Sequence, residues 1–303
     1  MLQTKHRSLV YSFIVMLLWG LLFPTVKLGY RVFGISEIPD ILAFAGFRFV
    51  VCGAIIVAYA AIKDLKSFHP VKKHLGWVLL SGVFAIILHY AFTYVGLRLT
   101  DGSKTAIIKQ LGAIFYICFA GLFFKEDKMT KNKLLGLVLS VMGILVINVS
   151  ATGIAFHLGD VLILGASFCT VFSNVVSKKV FRYVEPIVST GVSQLFGGVI
   201  LMIVGAMAGS NVVDVLPRNA ADLGVFVVIV FASVISYALW FVTVKKENLS
   251  RLFIIKFSEP LFAALFSWII IGEDILKLNY LLAFIFISAG IMVANLSKRT
   301  KIT

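Results

Sequence analysis

A chain of 303 residues that is 60% hydrophobic and only 14% charged, with a positive mean hydropathy, cannot wrap an apolar core in a polar coat. It is excluded from the water-soluble globular class and reads as an all-α integral membrane protein. The net charge of +14 would suit a nucleic-acid binder, but its distribution along the chain answers otherwise.

Ten apolar stretches follow one another, each close to the roughly 20 residues that a helix needs to cross a hydrocarbon core of about 30 Å. The first, near Ser8 to Val26, has the length of a signal peptide. No Ala-x-Ala follows it and similar stretches do, so it reads as a permanent helix carrying Trp19 and Pro24. The second, Ile41 to Ile62, holds Arg48, and the third, Leu75 to Leu97, holds His89, Tyr90, Thr93 and Tyr94. Thr105 to Phe124 carries Lys109, Gln110 and Tyr116, and Leu134 to Ala151 carries Gly136 and Gly143. The sixth, Leu158 to Ser177, contains Ser173 and Asn174, and the seventh, Pro186 to Ala208, contains Gly205 of a Gly205-x-x-x-Gly209 spacing suited to close helix packing. Leu223 to Val244 brings Tyr237 and Trp240, Phe253 to Ile271 brings Lys256, Glu259 and Pro260, and Leu278 to Leu296 closes the series.

With the amino terminus inside, cytoplasmic segments carry 19 Lys/Arg and outer segments six. That is the positive-inside signature with both termini cytoplasmic, and the expected location is the cell (plasma or inner) membrane, crossed many times. The basic balance then reports topology and anionic lipid heads, not nucleic acid. Cys52, Cys118 and Cys169 all fall within predicted helices, with neither disulfide nor zinc-ligand spacing.

The chain repeats itself. His89 to Asn148 lies over Ser236 to Asn295 at a constant offset of 147, with 18 identities in 60 ungapped positions. Tyr90 pairs with Tyr237, Lys109 with Lys256, Glu126-Asp127 with Glu273-Asp274, and Gly143 with Gly290. Five helices per copy is an odd number, so a second copy must enter the membrane from the opposite side. The expected organisation is two inverted five-helix repeats, residues 1–151 and 152–303, an arrangement transporters use to expose a midplane site alternately to the two faces.

Leu18-Trp19-Gly20-Leu21-Leu22-Phe23-Pro24, Phe47-Arg48-Phe49, and Ser258-Glu259-Pro260-Leu261-Phe262 through Gly272-Glu273 and Gly290 resemble the EamA family of the drug/metabolite transporter superfamily. The likeness covers the whole chain. It implies a ten-helix exporter of amino acids or other small metabolites whose central cavity is lined by helices 1, 3, 4, 6, 8 and 9, with helices 5 and 10 peripheral. One departure stands out: the first copy has Gly112-Ala113 where the second has Glu259-Pro260.

Lys109 and Lys256 each sit about five residues into an apolar run, where a central lysine costs about 2.5 to 3.5 kcal/mol. Such a cost suggests either a binding role or a stem long enough to snorkel to the interface. Inverted topology would set Lys109 toward the outer face and Lys256 toward the inner one. Glu259, three residues after Lys256 on the same helix face, is a partner for it or a proton-coupling carboxylate. Arg48 has no acid in its own span and offers a planar fork to a carboxylate or phosphate. Across the apolar spans Arg48, Lys109 and Lys256 against Glu259 leave two excess positive charges, which favours an anionic or zwitterionic cargo. Trp19, His89, Tyr90, Thr93, Gln110, Asn174, Tyr237 and Trp240 complete the substrate-binding candidates. Glu126-Asp127 and Glu273-Asp274 are expected to pair with nearby lysines or cap helix starts.

The expected function is therefore a secondary active transporter, probable direction outward by the family likeness, of an amino-acid-like or carboxylated metabolite, driven by protons or by exchange. Alternatives within the superfamily are a lipid or lipid-linked flippase and a phosphorylated-metabolite exchanger. An enzyme is not expected, since no nucleophile, metal cluster or phosphate-binding glycine loop occurs in the spans, and no cofactor is expected either. The implied partners are a small-molecule substrate and the lipid bilayer, in a monomer or homodimer.

Overall fold

The computed structural model describes residues 2–99, 102–148, 158–272 and 278–295. They form ten helical rods and, among the described residues, no strands. The rods are α1 (Leu2–Phe33), α2 (Ile38–Lys63), α3 (Leu65–Leu97), α4 (Gly102–Phe123), α5 (Lys131–Asn148), α6 (Leu158–Val180), α7 (Pro186–Met207), α8 (Ala220–Lys246), α9 (Leu249–Ile271) and α10 (Leu278–Asn295). Seven of them are long and apolar enough to cross a membrane, and Ile108–Phe123 and Leu281–Ala294 are shorter apolar helices. The protein is a multi-pass, all-helical membrane protein. The expected boundary between the copies at 151–152, and Glu273-Asp274, lie outside the described residues.

Local chemistry places the helix ends. Pro39 and Pro186 occupy the first turns of α2 and α7, where a missing N–H costs nothing. Asn219 caps α8 by accepting the Asp222 amide at 3.0 Å. Gly272, at φ +71, ends α9 in the left-handed conformation that favours glycine.

One rod carries an internal proline and two depart from regular helix, each beside a candidate site residue. Pro24 lies within α1 and deprives the Gly20 carbonyl of its helical donor. α3 begins with a 3-10 turn at Leu65–Phe68, ten residues before the expected Leu75, because the basic segment leading into it is itself helical. It then passes through a π-helical segment, Val83–Leu88, that ends at His89. α9 is divided just before Pro260, which lacks a backbone donor: its halves are Leu249–Lys256 and Glu259–Ile271, joined at Phe257-Ser258. There the Phe257 and Ser258 amides donate to the carbonyls of Ile254 and Ile255 at 3.2 and 2.9 Å.

Small residues set which rods touch. α2 lies against α7 in opposite direction, Gly46 meeting Gly198 and Met202 while Gly53 meets Gly191 and Leu195. α5 lies against α10 in the same antiparallel manner, Gly136 meeting Gly290 and Ala294 while Gly143 meets Ala283 and Ile287. Such crossings let backbones approach where lipid offers no hydrophobic drive to associate. Gly205 joins the α2 crossing, but Gly209 does not: at φ +108 it sits in the turn beyond α7, so the Gly205-x-x-x-Gly209 spacing is not one packing motif. α1 packs on α8 and α9, and α6 packs on α3 and α4. The interior between these rods buries Trp240, Tyr116, Phe253 and Phe257, while Leu122, Met207, Leu281 and Met292 face outward.

A Cβ at Gly198 would stand 2.6 Å from the Val50 amide nitrogen, and backbone cannot yield as a side chain can. Gly198→Ala should lower the thermal midpoint of the purified protein by several degrees, since overpacking costs about 1 to 3 kcal/mol. Gly76→Ala, with nothing within 4 Å of the added carbon, should not lower it.

Candidate functional site

Two tyrosines paired by the duplication meet in the interior. Tyr90 of α3 and Tyr237 of α8 share a hydrogen bond at 2.9 Å between their hydroxyls. Both rings pack on Phe49, at 4.9 and 5.8 Å between centroids. Above Phe49 and Tyr90 lies the Arg48 guanidinium, 4.4 and 5.3 Å from the ring centroids, a cation–π cradle in a side chain only 4% exposed. Its Nε is buried and finds no hydrogen-bond partner among the described residues, and no carboxylate pairs with it there. The polar groups within its electrostatic reach are Tyr90, Tyr94, Tyr237 and Cys52.

On the other side of Tyr237, α1 supplies aromatic faces. Trp19 packs against Tyr237 at 5.8 Å and Trp240 at 5.0 Å. Trp240 Nε1 donates to Asn174 Oδ1 at 2.7 Å, and Asn174 Nδ2 donates to the Thr170 carbonyl at 2.8 Å. Lys256 Nζ stands 4.4 Å over the Trp19 ring and pairs with Glu259 at 3.1 Å. Lys109 Nζ stands 5.4 Å over Phe23, one turn further along α1. Lys109 also lies within electrostatic reach of both Glu259 and Lys256. His89 completes the group: its Nδ1 lies 3.0 Å from the Ala166 carbonyl and 3.1 Å from Thr170 Oγ1, and it feels the charges of Lys109 and Lys256.

The two lysines stand one helical turn apart along α1, Lys109 over Phe23 and Lys256 over Trp19. They converge on one face of α1. The physical reason is that α4 starts at Gly102 and α9 at Leu249, earlier than their hydropathy implies, so each lysine lies about two turns inside its helix. Lys256 does not snorkel, because its ammonium is held by Glu259.

The two copies differ at this point. In the first, the Gly112 amide donates to Ser167 Oγ at 2.8 Å, and that hydroxyl donates to the Lys109 carbonyl at 2.7 Å. α4 and α6 are thereby sealed together, with no room for a Cβ on Gly112: the Ser167 carbonyl carbon would lie 2.8 Å from it. In the second copy the equivalent position is Glu259, whose carboxylate is available to the lysines.

Of the sequence candidates, Trp19, Arg48, His89, Tyr90, Asn174, Tyr237, Trp240, Lys109, Lys256 and Glu259 form this connected group. Thr93 is buried with its hydroxyl unpartnered among the described residues, and Gln110 is half-buried on α4 and takes no part in the contacts above. Phe23, Thr170 and Ser167 were not foreseen. Phe23 and Thr170 are spaced at one helical turn from Trp19 and Ala166, a signal visible only once those positions are known to face inward. Gln194 of α7 is also buried, 1% exposed, with both amide atoms unpartnered among the described residues. No three His, Cys, Asp or Glu side chains converge in a metal-binding group among the described residues.

A second buried cluster lies at the α4–α5 turn. Asp127 accepts from Lys133 Nζ at 2.6 Å, Tyr116 Oη at 3.1 Å and the Ser250 amide at 3.0 Å, and the Ser250 hydroxyl also donates to it. It both pairs with a local lysine and caps a helix start, as expected, but the helix is α9, 123 residues away.

Comparison with known proteins gives one consistent answer. The profile of the EamA-like transporter family matches residues 6–149 and again 157–296. The Bacillus subtilis protein YoaV, described as an uncharacterized transporter, is 24% identical over 290 residues, covering 92% of this chain and 93% of YoaV. An uncharacterized transporter of Archaeoglobus fulgidus is 26% identical, covering 86% and 88% of the two chains. The Escherichia coli K12 protein YedA, described as an uncharacterized inner membrane transporter, is 21% identical, covering 93% and 88%. A solved crystal structure superposes with a TM-score of 0.77 at 17% identity, covering 96% of each chain, which speaks to the fold alone.

Asp127→Asn should lower the thermal midpoint markedly, because breaking a buried ion pair costs about 3 to 5 kcal/mol. Combining it with Lys133→Met should recover part of the loss, and a double variant no more stable than Asp127→Asn would show that the cluster is not held by charge.

Proposed function

Given that the chain belongs to the EamA-like transporter family, and is on that ground a membrane transporter, we propose that it exports a small carboxylated or zwitterionic metabolite across the cell membrane by alternating access. The observation that carries the reading is charge: three cations, Arg48, Lys109 and Lys256, stand over aromatic rings of the interior, and the carboxylate among them, Glu259, pairs with Lys256. Desolvated cations of this kind attract a cargo carboxylate, and the guanidinium presents two donors to it in one plane. Trp19, Tyr237 and Trp240 offer ring faces for the apolar part of such a cargo, and the one divided rod, α9, is interrupted between Lys256 and Glu259, as discontinuous helices are in transporter sites.

Residues 1–151 and 152–303 act in this reading as two inverted halves that rock on each other, with both termini cytoplasmic. Supporting it, α2 runs against α7 and α5 against α10, the partners that the duplication makes equivalent, and each pair is antiparallel. Glu259 is the group that would take up and release a proton if export draws on the proton gradient. The flippase alternative calls for a polar groove open to lipid. The groove of about 450 Å³ between α1 and α9 is lined instead by Leu9, Val10, Phe13, Ile14, Leu17 and Phe262.

The test is counterflow in proteoliposomes with amino acids, organic acids and phosphorylated metabolites. A carboxylated compound should exchange. Arg48→Lys should cut its exchange at least about tenfold, the equivalent of 1.4 kcal/mol, because a lysine cannot reproduce the planar fork. Exchange of phosphorylated compounds alone would favour the phosphate exchanger, and lipid scrambling without counterflow the flippase. Glu259→Gln should preserve exchange while abolishing any dependence on a pH gradient; unchanged gradient-driven uptake would make Glu259 structural.

A further inference from the structure

We propose that Glu259 is a single counter-ion shared by the two lysines, held by Lys256 in the state described here and passed to Lys109 in the other. The inference rests on the alternating-access reading and adds to it a rule for charge. Lys109 and Lys256 are equivalent by duplication and stand one turn apart along α1, over Phe23 and Trp19. Glu259 pairs with Lys256 at 3.1 Å and is also the carboxylate within electrostatic reach of Lys109. Where the second copy carries Glu259 the first carries Gly112, whose amide is tied to Ser167 and whose position has no room for a side chain. The first copy thus cannot supply a carboxylate at the equivalent position, and Lys109 has none at ion-pair distance among the described residues.

The means of transfer is present in the backbone. Glu259 opens the second half of α9, just past the break at Phe257-Ser258, while Lys256 ends the first half. A change of angle at that break moves the carboxylate relative to Lys256 without unwinding either half. Lys256 on its own rod pairs with Glu259, and Lys109 of α4 stands over Phe23, one turn along α1 from the Trp19 ring beneath Lys256. In either state one lysine is neutralised and the other is left without a carboxylate. The unneutralised ammonium is Lys109 now and Lys256 after transfer, so a cargo anion meets one free ammonium of this pair whichever face is open.

A thermal double-variant cycle on the full chain in nanodiscs tests this without any cargo. Lys256→Met alone should lower the midpoint by only about 2 to 4 °C, because Lys109 takes over Glu259. Lys109→Met alone should change it no more. The double variant strands the carboxylate, and its loss should be at least twice the sum of the single losses, with Glu259→Gln restoring most of it. Additive losses overturn the proposal. So does failure of Lys256→Met to fold when Lys256→Met/Glu259→Gln folds, since Lys109 has then not replaced the missing partner. Absent carboxylate counterflow with an intact cycle would remove the proposed cargo and leave the shared counter-ion standing.

Discussion

An ionised side chain in hydrocarbon must be held by something, and in this protein that requirement organises the interior. Each of the three cations in the spans has a different attendant: aromatic faces for Arg48, a carboxylate and an indole for Lys256, a phenyl ring for Lys109. Because these attendants come from α1, α2, α3 and α9, the charges can be accommodated only when those rods meet at one depth. The Tyr90–Tyr237 hydrogen bond marks that meeting point, joining α3 to α8 and packing on Phe49 of α2.

Between lipid-soluble helices there is little hydrophobic drive to associate, so the framework around the charges depends on close contact. Glycine crossings hold α2 to α7 and α5 to α10. The α2–α7 pair adjoins the charged group through Arg48 and Phe49, whose backbone lies against Gly198, while the remaining members come from α1, α3, α4, α6, α8 and α9.

The duplicated copies have diverged where they matter most. One crossing, of α6 on α4, is closed by the Gly112–Ser167–Lys109 hydrogen bonds. At the other, α1 meets α9 through Gly20 beside Phe262 and Ala263, and Glu259 is free to serve as counter-ion. Asp127 adds a link of a different kind, tying the α4–α5 turn to the start of α9 through a buried carboxylate. A nearly symmetric frame therefore carries an asymmetric charge distribution.

Composition, hydropathy and the offset of 147 were enough by themselves to establish a multi-pass helical membrane protein, the order of its ten rods and the residues too polar to be there without cause. The break before Pro260 was legible as well, since a missing backbone donor acts locally. Tertiary structure alone decided how the polar residues are partnered. Asn174 finds Trp240, His89 finds Ala166 and Thr170, and Asp127 finds Ser250 across 123 residues. It also set Lys109 and Lys256 one turn apart over a single helix, α1. Hydropathy and helical periodicity record which residues are apolar and which share a face of one helix. The rotation and depth at which two helices meet depend on the fit of small side chains between them, and that fit belongs to no single segment.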